Sequence, residues 1–70
     1  MTKVFSLMAW IKNYAVKISS DFAEFVDYCV YEEHIQSWVS NNLSKAEVKR
    51  ELQHMFLDYE EQRKYLASLL

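Results

Sequence analysis

The chain contains neither glycine nor proline in its 70 residues, and this double absence constrains its fold more than any other feature. Tight hairpins need positive φ at their turns, and phosphate-cradling loops need glycine backbone. β-Sandwiches, Walker-type loops and dinucleotide folds are therefore disfavoured, and helical periodicity carries the reading. Seventy residues give room for one domain, spanning 1–70. At that size a single core rarely supplies more than about 3–5 kcal/mol, so marginal stability or oligomerisation is expected. The single cysteine cannot close a disulfide within the chain, and no Cys/His cluster offers structural zinc instead.

The first segment places Val4, Leu7, Met8, Ile11, Ala15 and Ile18 on one helical face, with Thr2 available as its cap. Phe5, Trp10 and Tyr14 lie off the centre of that stripe, so this helix is apolar around much of its circumference and is expected to be central. Asp21 and Glu24 have capping-box spacing and predict a second helix from about Phe22. Its stripe of Phe22, Phe25, Val26, Cys29 and Val30 loses phase across residues 31–34 before resuming at Ile35, Trp38 and Val39, which predicts a kink or short break.

Ser44-Lys45-Ala46-Glu47 is a capping box, and Leu43 with Val48 has hydrophobic-staple spacing, so a helix is predicted to begin at Lys45. Val48, Leu52, Met55, Tyr59, Leu66 and Leu69 then follow a heptad, with polar Gln62 at one position. A helix of about 24 residues would be roughly 36 Å long, against about 28–30 Å for a compact domain of this size. Its far end is expected to project. The fold class is thus all-α, a small three- to four-helix bundle with a long C-terminal helix.

Charge is partitioned along the chain. Residues 1–20 hold Lys3, Lys12 and Lys17 and no acid; residues 21–43 hold Asp21, Glu24, Asp27, Glu32 and Glu33 and no base; the remainder balances, for a net charge of −2. The plain reading is mutual attraction between the first two segments with solvated outer faces. The functional reading makes Asp27, Tyr28, Tyr31, Glu32, Glu33 and Trp38 a docking surface for a protein with a basic face, acids steering the encounter and aromatics anchoring it. Eleven aromatic residues exceed what so thin a core can hold. Phe5, Phe22, Phe25 and Phe56 are expected inside, and Tyr28, Tyr31, Trp38 and Tyr65 at the surface.

Other constellations carry less. Glu51, His54 and Asp58 share a helix face with ligand types that suit a divalent metal, but the di-metal bundles use two Glu-x-x-His pairs and one is present. They read as a solvated face. Cys29 reads as a buried, inert thiol, with His34 off its face. Residues 34–41, a short connection, and Lys45, Lys49 and Arg50 at the start of the next helix have helix-turn-helix order. Glu47 and Glu51 among those bases weaken that nucleic-acid reading. No catalytic residue, metal or cofactor is expected.

The longest strictly apolar run, Leu7 to Ile11, falls far short of the roughly 20 residues of a membrane span. The first twenty residues lack a secretory layout. The chain is expected to be cytoplasmic and off the membrane. The expected function is that of a small acidic regulator or inhibitor that occupies another protein's surface, as bacteriophage and mobile-element accessory proteins, including inhibitors of host defence, do. The alternatives are a helix-turn-helix DNA binder and a homodimeric structural module joined through Tyr65, Leu66, Leu69 and Leu70.

Overall fold

The computed structural model describes residues 3–69; the capping role expected of Thr2 and the contact expected of Leu70 lie outside them. Four helices follow in order: α1 (Lys3–Ile18), α2 (Ser20–Cys29), α3 (Glu32–Ser40) and α4 (Lys45–Leu69). No strand occurs among the described residues, and the fold is the small all-α bundle with a long last helix that the periodicity predicts.

The boundaries are chemical. Ser19, in extended conformation, accepts the Phe22 N–H through its hydroxyl at 3.0 Å, so α2 begins at Ser20 and is capped by Ser19 rather than by Asp21. The break expected near residues 31–34 is present, at Val30 and Tyr31, both extended. Tyr31 offers no capping oxygen; instead His34 Nδ1 accepts the Tyr31 N–H at 3.0 Å, and the two rings stack. Glu32 and Glu33 in the first turn of α3 suit the positive end of its dipole.

The end of α3 shows how a chain without glycine makes a sharp turn. Asn42 takes the left-handed conformation, φ 56°, the position that glycine usually fills. The Leu43 N–H reaches the Trp38 carbonyl at 3.1 Å and the Asn42 N–H the Val39 carbonyl at 3.0 Å, which completes a Schellman motif. Leu43 and Trp38 line one groove, the hydrophobic contact that accompanies this motif. One residue later the predicted capping box forms in full: Ser44 N–H donates to Glu47 Oε1 at 2.8 Å, and Glu47 N–H to Ser44 Oγ at 3.2 Å.

Helix α1 is central, packing on both α2 and α3. Tyr14 meets Phe22 edge to face, while Met8 and Ile11 share a groove with Val26, Val30 and Ile35, so α2 and α3 run back along α1. Helix α4 returns in the direction of α1: Lys45 lies over Trp10, Lys49 over Tyr14, and farther on Phe56 meets Phe22 and Tyr59 meets Phe25. Ile11, Ala15, Phe22, Phe25, Val26, Ile35, Trp38, Val48 and Leu52 form the core, ringed by half-buried Trp10, Tyr14, Met55, Phe56 and Tyr59.

Three placements differ from the sequence reading. Phe5 is 77% exposed, because it lies about 100° round α1 from the stripe that α2 and α3 cover. Ile18 is 48% exposed at the last position of α1, where the chain turns away. Trp38 is buried, with 7% of its surface accessible, as the apolar half of the turn that ends α3. The molecule measures 44 × 22 × 18 Å, and its long dimension follows from α4, whose 25 residues span about 37 Å.

Candidate functional site

The acidic and aromatic residues singled out in the sequence separate into two groups. Asp27, Tyr28, Tyr31, Glu32 and Glu33 are exposed, Tyr28 by 67% and Tyr31 by 56%. The extended pair Val30–Tyr31 joins the end of α2 to the start of α3, where Asp27, Tyr31 and Glu32 line one groove and Tyr31 and Glu33 another, with Tyr28 exposed near the end of α2 and in neither. Trp38 does not join them as an exposed anchor; only its edge reaches the surface, in a shallow groove with Tyr31, Glu33 and His34.

Beside the tyrosines, at the same break, a groove of about 250 Å³ opens between α1 and the α2–α3 junction. Its floor is apolar, from Met8, Ile11, Val26 and Ile35, and Asp27, Glu32 and Lys12 stand among its lining residues. Lys12 of the basic first helix shares this groove with Asp27 and Glu32 of the acidic segment. Asp21 and Glu24, the other two acids of the segment, are exposed on α2.

Lys45, Lys49 and Arg50, the bases of the nucleic-acid reading, are all exposed, and the two lysines lie over aromatic rings of α1. Lys45 Nζ lies 5.4 Å from the centre of the Trp10 ring, and Lys49 Nζ 5.9 Å from Trp10 and 5.1 Å from Tyr14. Trp10 and Tyr14 are themselves stacked, 3° from parallel. The cation–π contacts, worth about 0.5–1 kcal/mol each at exposed sites, draw both ammonium groups onto α1. Arg50 is close enough to Glu47 to help lower its carboxyl pKa. The first turns of α4 thus serve to fasten it to α1. The sequence reading missed this use of Trp10 and Tyr14; their i, i+4 spacing on α1, matched by Lys45 and Lys49 at the same spacing on α4, was the available signal.

Glu51, His54 and Asp58 are exposed, and no group of three metal-ligating side chains gathers among the described residues. Cys29 is half-buried rather than buried, at the edge of a shallow groove with Phe25, Met55 and Tyr59. Every buried side chain among the described residues is hydrophobic. The exposed Glu47 carboxyl is held below its ordinary value first by the Ser44 amide, then by the Ser44 hydroxyl, with Arg50 adding a little.

The remaining group, Tyr65, Leu66 and Leu69, lies on the part of α4 that extends past the body, 65%, 60% and 65% exposed. No helix among the described residues is long and apolar enough to cross a membrane. No family model matches the chain, and neither a curated protein nor a solved structure matches it.

Proposed function

We propose that the protein is a non-catalytic binding module, a regulator or inhibitor acting in the cytoplasm, that occupies a basic surface of another protein with the face around the α2–α3 junction. The observation that carries this reading is the exposure of Tyr31 beside Asp27 and Glu32 at an apolar-floored groove, with Tyr28 and Glu33 exposed close by in the chain. Tyrosine supplies a large contact area with few rotamers to freeze, and a surrounding acidic rim speeds encounter with a basic partner. A compact acidic face of this kind also suits competition with nucleic acid for a basic groove, the mode by which accessory proteins of bacteriophages and mobile elements could inhibit a host factor.

The competing local account is that Glu32 and Glu33 merely stabilise the start of α3. It accounts for Tyr31, whose ring stacks on His34 at that helix start, and gives exposed Tyr28 no role. Immobilised wild-type protein, challenged with host lysate, is expected to retain a protein that elutes with salt. The Tyr28→Ala/Tyr31→Ala and Glu32→Lys/Glu33→Lys variants are expected to lose it while keeping the wild-type circular dichroism spectrum. Retention indifferent to all four substitutions would remove this face from consideration. Tight heparin binding abolished by Lys45→Ala, Lys49→Ala and Arg50→Ala together would favour nucleic acid as the ligand.

A further inference from the structure

The chain builds the same capping arm twice, from different acceptors. At the start of α4 a carboxylate oxygen, Glu47 Oε1, accepts the Ser44 N–H at 2.8 Å; at the start of α3 an imidazole nitrogen, His34 Nδ1, accepts the Tyr31 N–H at 3.0 Å, again from three residues on. The carboxylate keeps its lone pairs through mild acid. The imidazole nitrogen accepts only while it carries no proton, and histidine is the side chain that gains one between about pH 8 and pH 5. We propose that His34 is a pH-sensitive latch on Tyr31: the neutral ring, with its proton on Nε2, holds the Tyr31 amide, and the imidazolium releases it.

Tyr31 is tied to this ring twice. The two ring centroids lie 5.7 Å apart and the planes 19° from parallel, so the rotamer that aims Nδ1 at the amide also lays the imidazole against the phenol ring. A proton on Nδ1 sets donor against donor, and the ring has to turn away from the amide, which ends the stack in its present geometry. The helix itself stays. The Tyr31 carbonyl still accepts the His34 N–H at 3.0 Å and the Ile35 N–H at 3.3 Å, and Ile35 is buried in the core. Release is therefore confined to the Tyr31 amide and side chain, at the extended link between α2 and α3.

The surrounding charges favour the turn. Glu33 lines the same shallow groove as His34, with Tyr31, Ser37 and Trp38, and offers the cationic ring a carboxylate. Tyr31 also lines the neighbouring groove, where the other titratable and charged groups are Glu32, Asp27 of α2 and Lys12 of α1. Two acids there outweigh one base, and no residue of α4 lines either groove. The amide end of α3 repels a cation, which drives the protonated ring outwards. Release of Tyr31 in mild acid loosens one aromatic of the docking face proposed above. That consequence rests on the docking reading; the latch does not.

A magnetic resonance titration of the isotope-labelled chain, run without any partner between about pH 8 and pH 5, tests the latch. At the alkaline end the His34 ring nitrogens are expected to show the Nε2–H tautomer. As pH falls, the Tyr31 amide proton is expected to lose its hydrogen-bonded shift with the same midpoint as the His34 ring, while the Ser44 amide stays where it is. His34→Gln supplies an acceptor that does not titrate and is expected to hold the Tyr31 amide at its alkaline position throughout; His54→Gln, at an exposed site, is expected to leave the wild-type behaviour unchanged. An Nδ1–H tautomer at the alkaline end, a Tyr31 amide that stays fixed while His34 titrates, or one that moves equally in His34→Gln would each overturn the latch. A Tyr31 amide that moves with His34 supports it whether or not a lysate holds a partner, so this inference and the docking face fail separately.

Discussion

Along α4 one heptad spacing carries Val48 and Leu52, which keep no accessible surface, and Leu66 and Leu69, which keep 60% and 65% of theirs. Propensity does not separate them, since leucine occurs in both halves and both are helical. What separates them is the length of the other helices. α1 and α2 pack along the first half of α4, Cys29 and Gln62 share the last groove between α2 and α4, and Tyr65, Leu66 and Leu69 stand exposed beyond it. The comparison teaches that a periodic apolar stripe states which face seeks a neighbour and says nothing of whether its own chain provides one.

The sharpest way to break that comparison is to remove the same side chain from both halves. Leu52→Ala, or Phe25→Ala beneath α4, is expected to cost about 2–5 kcal/mol, from lost burial and the cavity left behind. Leu66→Ala, at concentrations low enough to keep the chain single, is expected to stay within about 0.5 kcal/mol of wild type. Urea denaturation measures both. Equal costs would mean that the end of α4 is covered within one chain.

A smaller effect is expected at the junction that delivers α4 to the body. Asn42→Ala keeps the β-carbon but replaces a residue type that tolerates the left-handed region with one that does not, and should cost a fraction of the roughly 1–2 kcal/mol that region exacts from an ordinary residue. If denaturant unfolding placed Asn42→Ala on the wild-type curve, the Schellman turn would not be what directs the covered half of α4 onto α1.

The smallest effect is electrostatic and confined to the first turn of α4. The Glu47 pKa is lowered in the folded chain, chiefly by the Ser44 amide, so its contribution is complete above the ordinary glutamate pKa and is lost as pH falls through the lowered one. Thermal melts should separate wild type from Glu47→Ala at neutral pH and converge in acid. Ser44→Ala, which removes the other arm of the box, should cost about 0.5–2 kcal/mol at neutral pH. A Glu47→Ala deficit that widened on acidification would contradict the assigned hydrogen bond.

Much of this fold is legible before any coordinates. The capping box at Ser44 and Glu47 forms with both bonds, because its parts lie three residues apart and need only a helix to meet. The break in the second stripe was visible as a loss of phase near residues 31–34, and it falls at Val30 and Tyr31. The sequence reading of Asp21 as a cap misses Ser19, since two acceptable capping residues lie close together and the choice depends on where α1 releases the chain. Within the candidate site, Tyr28 and Tyr31 are exposed as expected, and Trp38 is not. Trp38 stood on the Ile35–Val39 stripe all along, but its burial depends on Leu43 folding back through the turn at Asn42.

The sequence by itself determined the helical class, the start of α4, and which residues share each helical face, because those follow from spacing and contacts within one turn. Only the tertiary structure decided which faces are covered. Phe5, Trp38 and Leu66 are all large and apolar, yet their exposures of 77%, 7% and 60% follow from where α2 and α3 run and where they stop. The same holds for Lys45 and Lys49, whose positions in sequence suited a phosphate backbone and whose ammonium groups lie over Trp10 and Tyr14. Burial and charge pairing belong to neighbours that are distant in sequence, and a local pattern cannot say which neighbour arrives.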